Sequence, residues 1–190
     1  MRLAVSSLVC VALLALIAGT VLANQPDPNQ STFDDCLGRS PKNSTADPSA
    51  QYTYLGTLRD NTGAPVPNYD AGLVELVIMA PCANTVTLNP DGPSNASGEV
   101  VWGVDTLNQG GGSCAGTAVV EIRVNANIFD TLDDVRSPDE DGDGQVALAD
   151  LATWQQAFVG QSPVHEGDLD CDSIIALSDL ALWQKHFVAP

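Results

Sequence analysis

Basic residues are scarce in this chain. Seven Lys and Arg stand against 24 Asp and Glu in 190 residues, a formal net charge of −17. Binding to nucleic acid depends on clustered Lys and Arg that neutralise phosphates, so nucleic acid is not an expected partner. There are only two histidines, His165 and His186. They lack the spacing of a transition-metal site and read as solvated surface. A hydrophobic run long enough to cross a membrane is also lacking beyond the first residues. Leu3 to Ala18 is apolar, on the short side for a span of about 20 residues. With Arg2 ahead of it and Val21-Leu22-Ala23 behind, residues 1–23 read as a targeting segment cleaved after Ala23. No transmembrane segment is expected after that removal. The mature chain is expected to be secreted, extracellular or at the cell surface, where calcium is plentiful and disulfides form.

What the chain has in quantity is patterned acid. Asp139 to Asp150 reads D-E-D-G-D-G-Q-V-A-L-A-D, with Asp139, Asp141, Asp143 and Asp150 at loop positions 1, 3, 5 and 12 and Gly144 at position 6. This is the spacing of an EF-hand-type calcium loop. A hard cation of that size takes roughly 6–8 oxygens, and the chain must turn sharply for the early side chains and the Gln145 carbonyl to share a centre. Glycine permits the turn. Val146 is expected to point into the core. Twenty-nine residues on, Asp168, Asp170, Asp172 and Asp179 repeat the four acidic positions, and Ile175 repeats Val146. Each loop leads into a matching helical phrase, D-L-A-T-W-Q-Q-A-F-V and D-L-A-L-W-Q-K-H-F-V. Two loops in register, each with the same phrase behind it, are much stronger evidence than one. Four carboxylates gathered together repel by roughly a few kcal/mol per close pair. Two calcium ions are therefore expected, one to hold each loop closed.

Between these landmarks the chain changes character. Residues 24–50 are rich in Pro, Asn, Asp, Ser and Thr and read as a linker or leader, with Phe33 and Cys36 as its only anchors. Residues 51–128 alternate as antiparallel strands do: Tyr52–Arg59, Leu73–Met79, Thr85–Leu88, Glu99–Val104 and Ala118–Val124, punctuated by turns such as Asp60-Asn61-Thr62-Gly63 and Asn95-Ala96-Ser97-Gly98. Short strands with regular turns indicate a sandwich. Residues 129–136 read as an acidic connector, and 137–190 as the paired-loop segment.

Two family resemblances follow. The phrases G-A-P-V-P-N, S-N-A-S-G-E-V-V-W and G-T-A-V-V-E-I-R-V resemble bacterial immunoglobulin-like domains of the invasin and intimin type, which serve as spacers or adhesion modules. The paired loops, each followed by one helix and closed by Asp at position 12, resemble dockerin type I domains. Together they imply an all-β immunoglobulin-like sandwich followed by a small all-α dockerin-like domain with two EF-hand-type calcium loops. The dockerin resemblance implies ligands at Asp139, Asp141, Asp143, Gln145 (backbone carbonyl) and Asp150, and at Asp168, Asp170, Asp172, Ile174 (backbone carbonyl) and Asp179. Ala147 and Ala176, at position 9, leave room for water. The chain departs from the family in two ways. Ser173 stands where the turn favours glycine, which predicts a weaker second site. Leu148 and Leu177 stand where cohesin-binding dockerins often carry hydroxyls, and read as core, as do Trp154 and Trp183.

No set of residues reads as catalytic, because the aspartates lie in calcium loops with no room for a sugar cleft between them. The expectation is a secreted, non-catalytic calcium-binding protein whose dockerin-like part docks onto a cohesin-like protein, with the resemblance pointing toward polysaccharide degradation. The alternative is a surface or matrix protein in which calcium only stabilises the fold. Contact of the sandwich with carbohydrate stays open. Cys36, Cys82, Cys114 and Cys171 remain after removal of the targeting segment and allow three pairings. Cys82 with Cys114 is favoured within the sandwich. Cys36 can meet Cys171 only if the leader folds back.

Overall fold

Alternating apolar residues form strands because successive side chains leave opposite faces of the backbone. The computed structural model describes residues 25–39, 52–80, 85–107 and 111–187. The targeting segment and most of the expected leader lie outside the described residues, as does Cys82. The strands are β1 Thr32–Phe33, β2 Tyr54–Thr57, β3 Val74–Ile78, β4 Val86–Leu88, β5 Glu99–Trp102, β6 Cys114–Val124 and β7 Asn127–Val135. They form two antiparallel sheets, β1-β2-β5 and β4-β3-β6-β7. Tyr54 lies opposite Trp102, and Val74 to Ile78 run against Val124 to Val120. This register turns Tyr54, Val100 and Trp102 of one sheet, and Val74, Leu76, Ile78, Val120, Ile122 and Val124 of the other, into one buried core. The polar ends of the large rings are satisfied there, as buried Tyr and Trp require. Tyr54 Oη donates to Asp34 O at 2.9 Å and Trp102 Nε1 donates to Leu88 O at 3.1 Å.

Two strand expectations change. The strand read through Val104 ends at Trp102 and gives way to a single helical turn, α1 Val104–Leu107. Residues 129–136, read as an acidic connector, lie largely in β7, an edge strand paired with β6. Aspartate disfavours strands, but here it faces solvent at an edge while Leu132 and Val135 are buried. The hairpin turns at Asn125 and Ala126, both left-handed (φ 49° and 63°), which is the backbone a two-residue turn of this kind needs.

After β7 come α2 Leu148–Phe158, a 3-10 turn Val164–Glu166, and α3 Leu177–His186. Here the expected architecture is corrected. The chain is not an immunoglobulin-like sandwich followed by a separate all-α dockerin-like domain with EF-hand-type loops. It is a small, mostly β protein with two sheets and, among the described residues, only two helices longer than one turn. The reason lies in burial. Among the described residues, the C-terminal part has three buried apolar side chains in its own cluster, Val146, Leu169 and Trp183, with Leu151, Leu180, Leu182 and Phe187 partly buried against them, too little to stand as a core by itself. It completes itself against the β part. Cys36 is bonded to Cys171, Arg136 at the end of β7 pairs with Asp168, and the His186 ring stacks on Tyr52 with centroids 5.9 Å apart. Ser113 Oγ donates to Ser137 O at 3.1 Å and accepts from Ser137 N at 2.9 Å. The backbones close tightly: a Cβ on Gly112 would meet Gly142 N at 2.7 Å.

Other readings change with this seam. His186, expected in solvent, is 1% exposed. Leu148 and Leu177, expected in the core, are 69% and 70% exposed. Trp154 and Trp183 are buried, and each stacks on the phenylalanine four residues later. Cys114 is disulfide-bonded.

Candidate metal centre

The two acidic loops repeat in structure as they do in sequence, because each aspartate takes the same backbone amides in both. In the first loop, Asp150 Oδ1 accepts from Glu140 N (2.8 Å) and Asp141 N (3.3 Å), and its Oδ2 from Ala147 N (2.6 Å). In the second, Asp179 Oδ1 accepts from Leu169 N (2.7 Å) and Asp170 N (3.1 Å), and its Oδ2 from Ala176 N (2.7 Å). Alanine cannot cap a helix with its own side chain. The aspartate three residues on therefore reaches back to the free amide and draws the loop shut at the start of α2 or α3.

Inside each loop, Asp139 Oδ2 accepts from Gly144 N and Asp168 Oδ2 from Ser173 N, both at 2.9 Å. Asp143 and Asp172 accept from the amides of Gln145 and Ile174, both at 2.8 Å. The outcome is two triplets, Asp139–Asp141–Asp143 and Asp168–Asp170–Asp172, each with one carboxylate oxygen per residue within 4.8 Å of the others. Asp150 and Asp179 lie fully buried at the loop closures. Gln145 and Ile174 hold their side chains in solvent, so a backbone carbonyl is what each can offer a cation.

The loops differ in charge balance. Asp139 is 0% exposed, and its Oδ1 has no hydrogen-bond partner. Burial, reinforced by Asp150, Asp143 and Asp141, pushes its carboxyl up to about 6. In the second loop Arg136 fills part of the same need: its Nη1 donates to Asp168 Oδ2 and, at 3.2 Å, to Asp168 O. Burial also raises Asp150 and Asp179.

The loops also differ in backbone. Gly142 and Gly144 turn the first loop through the left-handed region (φ 73° and 95°). The equivalent positions of the second loop are Cys171 and Ser173 (φ 65° and 67°). A side chain there costs roughly 1–2 kcal/mol per residue.

The triplets are legible in the sequence, but the arginine that braces the second and the buried glutamate beside the first are not, although Arg136 just ahead of an acidic repeat, and Glu140 aligned with the apolar Leu169, were available signals. No family model, curated protein or solved structure matches the chain.

The electrostatics have a pH signature. A carboxyl whose folded value lies above its ordinary 3.8 stabilises the fold fully below that value and loses the contribution as pH rises through about 6. Metal-free protein should therefore lose about 2 kcal/mol from Asp139 between pH 4 and 7. Urea unfolding across that range, compared with Asp139→Asn, isolates the slope. The variant is expected to lack it, and saturating calcium to abolish it in the wild-type protein.

Proposed function

We infer that this is a secreted, non-catalytic calcium-binding protein in which cations close the two aspartate loops and so hold the C-terminal part in a form that docks onto a protein partner. One observation carries the cation reading: Asp139 Oδ1 is a fully buried carboxylate oxygen without a donor, set among two further carboxylates within 4.8 Å. Such an oxygen is costly unless a cation meets it. The donors are oxygens alone, with no imidazole or thiolate in either triplet, which suits a hard ion of calcium type. Asp139, Asp141 and Asp143, with the Gln145 carbonyl, would hold one ion. Asp168, Asp170 and Asp172, with the Ile174 carbonyl, would hold the other. Asp150 and Asp179 would shape each site through the amides they gather.

The docking step is supported by Leu148 and Leu177, large apolar side chains left in solvent at equivalent places of the two repeats. A cohesin-like partner is the proposal that goes with the dockerin resemblance. The purely structural reading is favoured by a different observation, the disulfide and the ion pair that tie the second loop to the β part.

Calorimetry of the full chain tests the cation reading. Two bound calcium ions are expected, the first loop binding more tightly, and Asp139→Asn should remove that tighter site. At about a hundredfold excess over Kd, each ion should add about 2.7 kcal/mol to stability. No heat of binding and no shift in unfolding would sink the reading. Calcium-dependent capture of a cohesin module supports docking; stabilisation by calcium without capture supports the structural role.

A further inference from the structure

The second loop adopts the backbone of the first without the first loop's glycines, and something must hold it there. Cys171, in the left-handed region between Asp170 and Asp172, is bonded to Cys36 in the segment that follows β1. That segment is itself fastened down. Arg136 N donates to Leu37 O at 2.9 Å and Arg39 N donates to Arg136 O at 2.8 Å. Tyr54 Oη reaches Asp34 O, and Asp34 Oδ2 accepts from Leu55 N at 2.8 Å. The disulfide therefore joins the strained turn of the loop to a fixed point on the β part.

We propose that the Cys36–Cys171 disulfide does for the second loop what glycine does for the first, so that its reduction opens this loop and weakens its cation site while the first loop stays closed. The calcium part of this proposal rests on the function inferred above. The opening of the loop does not.

The disulfide is open to a reductant. Both cysteines are half-buried and line an open cavity of about 490 Å³ together with Tyr52, Leu169, Asp170 and Leu182. A dithiol such as dithiothreitol gives two electrons and two protons, leaves as its cyclic disulfide, and yields two thiols. Cys171 is then free to leave its left-handed backbone, and the amides that Asp168 and Asp179 collect come apart. Coupling is reciprocal, so calcium in the second loop must also disfavour reduction by the same factor.

Hydrogen exchange of the full chain in calcium-free buffer reads the loop directly. On reduction, the amides of Leu169, Asp170, Ser173 and Ala176 should exchange at least about tenfold faster, while those of Glu140, Asp141, Gly144 and Ala147 keep their rates. Calcium titration should then show one of two sites weakened by about tenfold or more. The variant Cys36→Ala/Cys171→Ala should behave like the reduced protein, and Cys36→Ala/Cys171→Gly should recover the lost affinity, because glycine removes the strain without the bond. Mass spectrometry of alkylated wild-type protein supplies a readout that needs no variant: calcium should slow reduction at Cys36 and Cys171 but not at Cys114. Unchanged exchange in the second loop after reduction overturns the proposal. So does equal calcium affinity of the oxidised and reduced protein. If the second loop opens on reduction yet the oxidised protein binds no calcium, the redox device stands and the calcium function falls.

Discussion

Replacing Arg136 by methionine is expected to cost about 3–5 kcal/mol of folding stability in calcium-free buffer. Arg136 is 9% exposed and Asp168 is not exposed at all. Nη1 serves both the carboxylate and the carbonyl of Asp168, and Nη2 lies 3.4 Å from Asp134 Oδ2. Methionine fills much of the same volume, so packing is largely kept and charge is lost. What remains is a buried carboxylate beside Asp170 and Asp172 with no counter-charge, the expensive half of a broken pair. Calcium in the second loop would restore positive charge at that point. The loss should therefore shrink markedly in saturating calcium, and urea unfolding with chelator and with calcium measures both. An equal loss in the two buffers would show that Arg136 acts by packing the seam and not by balancing the aspartates. A loss below about 1 kcal/mol, the range of exposed pairs, would show that the pair does not hold the seam.

The second large effect has the opposite sign. Glu140→Leu is expected to stabilise the protein by about 2–3 kcal/mol at pH 7. Glu140 is 7% exposed, and the Ser113 hydroxyl offers its carboxylate at most one weak contact, too little to offset burial. Its counterpart in the second repeat is Leu169, fully buried in the C-terminal cluster. Burial pushes the Glu140 carboxyl up to about 9 from an ordinary 4.5. A raised folded value means that stability is full below 4.5 and drains away as pH rises through about 9. The gain from leucine should therefore be small at pH 4, larger at 7 and largest at 9, as followed by thermal or urea unfolding. Leucine is close in volume and carries nothing to desolvate. If Glu140→Leu destabilises at every pH, the buried carboxylate holds the loop and is not a cost to it.

The parts of this protein that could be read without coordinates are those where cause and effect lie close along the chain. Asp139, Asp141 and Asp143 converge because amides two to five residues away turn their carboxylates inward. The repeat at Asp168 does the same by the same local bonds. The strands at Val74–Ile78 and Glu99–Trp102 follow from alternation alone. The errors sit where partners are remote. Leu148 and Leu177 have an apolar neighbourhood in sequence but point outward, since the helices spend their inward positions on Trp154, Ala157 and Trp183. His186 was read as surface because nothing near it in sequence shows that Tyr52 will cover it.

Sequence alone was enough to set the two acid triplets, their 29-residue repeat and the β character of the first half, because each depends on a period or on bonds a few residues long. Whether the C-terminal part stands by itself was decided only in three dimensions. Among the described residues its own cluster holds three buried side chains, and the contacts that complete it join residues 32 apart at Arg136–Asp168 and 135 apart at Cys36–Cys171. Separations of that size leave no mark on local pattern. They form because a small apolar cluster and an excess of negative charge are both costly in water, and the β part offers an arginine, an aromatic face and a cysteine that relieve them.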